Sequence, residues 1–241
     1  MFHPRLCPTS QNAAKHIDAP DGTPDQGGDP SVLERRAVLR RTLVGLAGVI
    51  VGAQVGGAFA ASPRRSERRV LLAYFSRAGE NYKDGGRTQL TVGNTAVLAG
   101  MISRMIACDV HRIEAADRYP DGYDATVARN VREQEADARP AIVNPLTSIA
   151  PYDVVLLGSP IWNVRSPMIM STFTEGLDFS GKTVLPFVTY AVSGLGTTAR
   201  DYAASCHGAR IGSGLAVRGE EVRAGGPAVE AWLRRTGLLP R

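Results

Sequence analysis

Ser76 and Arg77 directly follow an unbroken apolar run at 69–75, and Gly93, Asn94 and Thr95 directly precede an amphipathic stretch. Unpaired backbone N–H groups at a helix start, with a glycine that permits close approach, favour a phosphate group. Ser76 and Thr95 add hydroxyls and Arg77 adds a charge. The competing reading is a structural loop in which Asn94 or Thr95 is an ordinary N-cap. The segment between the two groups is polar, glycine-rich and far longer than the roughly 2–6 residues usual for a strand-to-helix turn.

Two further loops carry flat surfaces. In the segment 158–167 Trp162 follows a buried run and is bracketed by Pro160 and Pro167, with Ile161, Asn163 and Arg165 beside it. A tryptophan placed there does not join a core easily, and a planar ligand would bury it. The alternative is a tryptophan that merely covers the end of a sheet. The segment 189–197 sets Thr189, Tyr190, Ser193 and Gly194 among small residues, where backbone groups reach a ligand's polar edge. Phosphate chemistry in one loop and ring surfaces in two others describe a mononucleotide with a large planar base.

Other chemistries lack raw material. Gly194-Leu195-Gly196-Thr197-Thr198-Ala199 matches the dinucleotide fingerprint G-x-G-x-x-A, but it follows the fourth strand rather than the first. No G-x-S-x-G elbow surrounds Ser193, and beyond residue 60 the histidines are His111 and His207, so a Ser-His-Asp hydrolase is not indicated. Cys108 and Cys206 stand in no metal-ligand spacing. The net charge of +5 is spread out, with no basic block interleaved with aromatics, so nucleic acid is not expected as a partner.

The elements that must position these groups alternate. Strands are expected at 69–75, 110–115, 153–159, 182–190 and 209–217. Helices are expected at 94–107, 123–138, 167–177, 197–206 and 227–239. The helix at 123–138 carries Tyr123, Val127 and Val131 at i, i+4, i+8 and is otherwise charged, which marks a surface helix. Pro186 is a blemish in the fourth strand, since it removes a ladder donor. Alternating units with right-handed crossovers predict an α/β fold, a doubly wound five-stranded parallel sheet of order 2-1-3-4-5 with helices on both faces. In such a sheet the ligand crevice lies beyond the carboxyl ends of the strands, which puts the three loops together. Cys108 and Cys206 then precede strands at opposite edges, about 19 Å apart at ~4.8 Å per spacing. A disulfide needs Cα atoms within ~7 Å, so two separate thiols are expected.

The N-terminal quarter reads differently. Residues 1–33 include a Pro-, Gly- and Asp-rich stretch with little to bury and are expected to be disordered. Residues 34–60 open on Glu34-Arg35-Arg36-Ala37-Val38-Leu39-Arg40, continue as a weakly hydrophobic run, and end in Ala58-Phe59-Ala60, a small-x-small cleavage pattern. This is the pattern of an export signal, and its flank resembles the twin-arginine motif. The apolar run would be about 28 Å long as a helix, barely a bilayer span, so an uncleaved anchor is the competing reading. Residues 61–68 are expected to be a linker into a domain at 69–241.

The domain resembles a flavodoxin-like family. The residues that carry the likeness run from Tyr74 to Tyr82 (YFSR-x-G-E-N-Y), Val92 to Thr95 (V-G-N-T), Tyr152 to Trp162 (ending L-G-x-P-I-W), Asp178 to Phe187 (D-F-S-G-K-T) and Ser193 to Gly196 (S-G-x-G). The resemblance implies a noncovalent FMN, with the phosphate role on Ser76, Arg77, Asn94 and Thr95. It places ring and ribityl contacts on Pro160, Ile161, Trp162, Asn163, Thr189, Ser193 and Gly194. It also implies an insertion after the first strand that folds over the cofactor or a neighbouring subunit, so a homodimer enters the expectations. Relatives often read P-I-W-W-G where this chain has Trp162-Asn163-Val164, and T-x-G-G-S-G where it has Tyr190-Ala191-Val192-Ser193-Gly194.

The function expected is an exported flavoprotein, periplasmic or extracellular, with no stable membrane insertion once the signal is removed. It would act either in electron transfer or as a flavin-dependent oxidoreductase of the NAD(P)H or quinone type. The sequence names neither donor nor acceptor. With Arg77 and Arg165 flanking the crevice, the flavin would be easier to reduce than in an acidic carrier. The alternative is a domain that keeps the fold, has lost FMN and serves as a binding or structural module.

Overall fold

The computed structural model describes residues 68–240. The expected disordered extension, the export signal and all but the last residue of the linker lie outside the described residues.

The strand β1 (Val70–Phe75) is followed by a two-stranded antiparallel hairpin, β2 (Gly79–Lys83) and β3 (Gly86–Leu90). Then come α1 (Asn94–Met105), β4 (Asp109–Ile113), α2 (Tyr123–Glu135), β5 (Val154–Pro160), α3 (Ile169–Glu175), β6 (Thr183–Tyr190) and α4 (Thr198–Ser205). The chain ends through β7 (Arg210–Ile211), β8 (Leu215–Arg218), a 3-10 helix (Gly219–Ala224) and α5 (Gly226–Arg235). The main sheet is parallel in the order β4-β1-β5-β6, with β7 and β8 both on the outer side of β6. This is the expected doubly wound α/β fold, consistent with a flavodoxin-like architecture. Among the described residues no helix is long and apolar enough to cross a membrane.

The alternating sides of the strands build two cores. Leu71, Ala73, Phe75, Val155, Leu157 and Val184 face one layer, where they meet Ile169, Met170 and Phe173 of α3 and Tyr202 of α4. Val70, Leu72, Val154, Leu156, Leu185 and Phe187 face the other, where Leu98 and Ile102 of α1 and Val229, Trp232 and Leu233 of α5 cover them. Strands buried on both faces read as continuous apolar runs for this reason.

The fifth strand is split, and Pro186 accounts for the place. Pairing of β5 with β6 continues through Leu157 opposite Pro186. On the other side, β7 pairs with Thr183 and Val184, and β8 begins opposite Phe187. The gap falls beside Leu185 and Pro186, where the missing N–H offers no ladder bond. Gly212-Ser213-Gly214 cross it. Cys108 and Cys206 are separate thiols, as expected. Burial pushes Cys206 up to about 12.

The insertion forms the hairpin rather than an open loop. Asp84 and Gly85 at its turn both have positive φ, 48° and 83°, the geometry of a two-residue hairpin turn. The apolar row of α2 also departs from the usual inward direction. Thr126, Asn130 and Glu133 are the buried residues of the helix, while Val127 and Val131 stay exposed. Glu133 tolerates burial because Tyr119 Oη donates to it at 2.7 Å and Arg129 Nε at 2.7 Å.

Candidate functional site

The carboxyl ends of β1, β5 and β6 open into a cavity of about 520 Å3, within the size range of small-molecule sites. Ser76, Arg77, Asn94, Thr95, Pro160, Ile161, Trp162, Asn163, Thr189 and Ser193 all line it. Gly194 does not; it occupies the turn before α4 with φ of 57°.

The polar end is a tight junction of strand and helix. Ser76 Oγ accepts the N–H of Ala96 at 3.1 Å, so the end of β1 is tied to the first turn of α1. Gly93 allows this, because a Cβ there would stand 2.4 Å from Ser76 Oγ and 2.3 Å from the Arg77 carbonyl oxygen. The N–H groups of Ala96 and Val97 turn back to the Gly93 carbonyl at 3.0 and 3.2 Å, which leaves those of Asn94 and Thr95 as the helix-start donors without an intrahelical acceptor. Thr95 and Thr189 bridge the first and third loops through their hydroxyls, 2.8 Å apart and buried.

Arg77 is placed differently from a free phosphate ligand. Its guanidinium donates to the carbonyls of Pro120 at 2.9 Å and Asp121 at 3.0 Å, and to that of Glu80. It therefore fixes β2 against the loop before α2, while still lining the cavity. Burial lowers its pKa, with Asp121, Glu80 and Tyr123 opposing that shift.

Trp162 corrects an expectation. It packs edge-on against Phe75 and Tyr119, with ring centroids 5.7 and 5.1 Å away, and so joins the edge of one core. One side of the indole caps the sheet while the side chain also lines the cavity. The expectation that Arg165 flanks the same cavity is overturned. Arg165 lines a separate cleft with Asp137, Arg139, Glu175 and Asp201, and its Nε lies 3.8 Å from Asp201 Oδ2. The turn at 163–164 directs it there.

Several lining residues were not expected from the sequence. Asn81 and Tyr82 come from the hairpin, Tyr123, Val127, Asn130 and Val131 from α2, and Glu220 from the 3-10 helix. Asp84-Gly85 is a strong hairpin signal that would have placed the first two. Glu220 carried no signal in the sequence, since its position depends on the crossing of the hairpin.

The residues suit a phosphorylated planar cofactor. Hydroxyl, amide and helix-start donors stand at one end, and Trp162 and Tyr190 offer ring surfaces at the other. Among the described residues no group of three metal-type ligands exists.

The comparisons agree with this architecture. A protein of Bacteroides eggerthii DSM 20697, described as a candidate flavoprotein, is 29% identical, and the alignment covers 70% of this chain and 98% of that one with a TM-score of 0.57. A corresponding protein of Bacteroides uniformis ATCC 8492 is 27% identical over 69% of this chain and 98% of that one, with a TM-score of 0.57. A flavoprotein of Lactobacillus acidophilus NCFM, solved in complex with FMN, is 18% identical over 65% of this chain and 97% of that one, with a TM-score of 0.48. No curated protein matches the chain. The family profile described as Flavodoxin matches residues 69–235, and the chain belongs to the flavodoxin family.

Proposed function

We propose that the domain binds FMN in this cavity and works as a redox flavoprotein. One observation carries the reading: a single cavity at the strand ends joins the helix start at Asn94 and Thr95 to the loops of Trp162 and Tyr190. FMN, when bound, supplies the redox chemistry, and the protein supplies binding, orientation and electrostatics. Ser76, Asn94 and the start of α1 would hold the phosphate, with Arg77 bracing the junction through carbonyls. Pro160, Ile161, Trp162, Asn163, Thr189 and Ser193 would hold the ring and ribityl chain.

The cavity contains one guanidinium, Arg77, and one carboxylate, Glu220. With Arg165 turned into the other cleft, the case for a strongly electropositive flavin site loses one of its two supports. The reading of twin-arginine export rests on Arg35-Arg36, the weakly hydrophobic run and Ala58-Phe59-Ala60. Export in a folded state would let a cofactor travel with its protein.

A second reading is a fold that no longer takes FMN. It is favoured by the mutual satisfaction of Thr95 and Thr189 and by the commitment of Arg77 to backbone carbonyls. Purification of the full chain separates the two. A yellow protein with one FMN per chain supports the redox reading, and a colourless protein that does not quench added FMN contradicts it.

A further inference from the structure

The turn that follows Trp162 holds a residue ill suited to its backbone. Trp162 N–H donates to the Arg165 carbonyl at 2.8 Å, and Arg165 N–H donates back at 3.3 Å. Between them, Asn163 and Val164 have φ of 49° and 63°. Positive φ at both central positions marks a type I′ hairpin turn, for which Asn-Gly is preferred. Asn163 fits. A β-branched residue with positive φ is a genuine outlier, and such strain is held where the surroundings over-determine it, often at binding sites. Here Val164 O accepts the N–H of Thr197 at 2.8 Å. Gly196 passes so close that a Cβ on it would stand 2.0 Å from that oxygen.

The valine side chain shows what the strain sustains. Val164 is 52% exposed and lines the cavity. Val127, Val131 and Val192, 43%, 37% and 79% exposed, line the same cavity from α2 and the third loop. Three separate chain segments thus bring apolar side chains to it, and none of the four belongs to either core. The charged lining groups, Arg77 and Glu220, are both engaged with the hairpin. A charged partner would lose hydration beside the valines. An uncharged ring would gain from covering apolar surface.

We propose that Val164, with Val127, Val131 and Val192, forms a subsite for a small, uncharged, apolar ring compound beside the cofactor. The proposal rests on the FMN reading and deepens it by naming the chemical class of the redox partner. Glycine at position 164 would relieve the turn but remove a wall of the subsite.

The test uses the full chain, with menadione as an uncharged ring probe and ferricyanide as a charged comparator. Three quantities are measured for wild type, Val164→Gly and Val192→Ser: FMN affinity by fluorescence quenching, probe affinity for the FMN-loaded protein by equilibrium dialysis, and Tm without added flavin. Wild type is expected to bind FMN and menadione and to show no saturable ferricyanide binding. Val164→Gly is expected to raise Tm by about 2–4 °C, to change FMN affinity less than twofold, and to weaken menadione at least fivefold. Val192→Ser is expected to weaken menadione without changing Tm. Wild type that takes up FMN but not menadione overturns the subsite alone. Unchanged menadione affinity in both variants, or a Val164→Gly Tm that does not rise, also overturns it. Equal losses of FMN and menadione would assign the valines to the flavin's own edge and overturn it too. Wild type that takes up no FMN fails the cofactor reading first, and this proposal with it.

Discussion

The backbone N–H of Asp84 donates to Glu220 Oε1 at 3.2 Å, joining the tip of the hairpin inserted after β1 to the 3-10 helix after β8. The hairpin is tied on the opposite side to α2. Arg87 pairs with Asp124 at 2.6 Å and lies over the Tyr123 ring at 4.7 Å, and Glu80 Oε2 accepts the Tyr123 N–H at 2.9 Å. The insertion is therefore a strap across the strand ends, with Asn81 and Tyr82 lining the cavity beneath it.

Removing the Glu220 clasp should loosen the strap without unfolding the domain. A hydrogen bond of this kind is worth about 1 kcal/mol, which corresponds to about fivefold in a rate or equilibrium. Glu220→Ala is expected to speed FMN release about fivefold and to raise amide hydrogen exchange at residues 84–86. Unchanged exchange there would show that the clasp does not hold the tip.

The buried hydroxyl pair of Thr95 and Thr189 calls for a double-mutant cycle. Thr189→Val leaves a buried hydroxyl without its partner and should cost about 1–3 kcal/mol in urea unfolding. Thr95→Val combined with Thr189→Val should recover much of that loss, because the unmet polar group is removed as well. Additive losses would mean that the two hydroxyls are not coupled.

Gly196 tests the packing of the second loop against the third. Its φ is 52° and its Cβ position is filled by Val164 O. Gly196→Ala should destabilise the domain by about 2–3 kcal/mol, read as a lower urea midpoint at unchanged m-value.

His111 introduces a pH dependence. Its ring stacks on Phe173 at 5.8 Å, its Nε2 is buried without a hydrogen-bond partner, and burial lowers its pKa from 6.5. The unfolded chain then binds the proton more readily than the folded one. Stability is full above pH 6.5 and is lost as pH falls through the lower folded value. His111→Phe should keep the stack and abolish the loss of stability below pH 6.5. An identical pH slope in the variant would place the titration elsewhere.

Much of this architecture was legible in the sequence. The apolar runs of β1 and β5 announce strands covered on both faces, and the alternation of units supplies the sheet order and hence the place of the crevice. The hairpin was not read, although Asp84-Gly85 marked it, because its strands are polar and pair only with each other. The direction of Val127 and Val131 was not readable either. An i, i+4 row shows that a helix has an apolar side, but only the tertiary fold shows that this side faces a cavity while Thr126 and Asn130 face inward. Arg165 was misplaced for a local reason: the left-handed turn at Asn163 and Val164 redirects the chain, and Val164, standing where such a turn prefers glycine, hides it. The eleven residues expected at the site came from three loops at the strand ends, and all but Gly194 line one cavity.

The most direct measurement compares FMN with riboflavin, which lacks the phosphate, for affinity to the purified chain by fluorescence quenching. If Ser76, Asn94 and the start of α1 grip the phosphate, FMN should bind about a hundredfold more tightly or better, the worth of two charge-assisted hydrogen bonds. Equal affinity for the two flavins, or no uptake of either, would contradict the account.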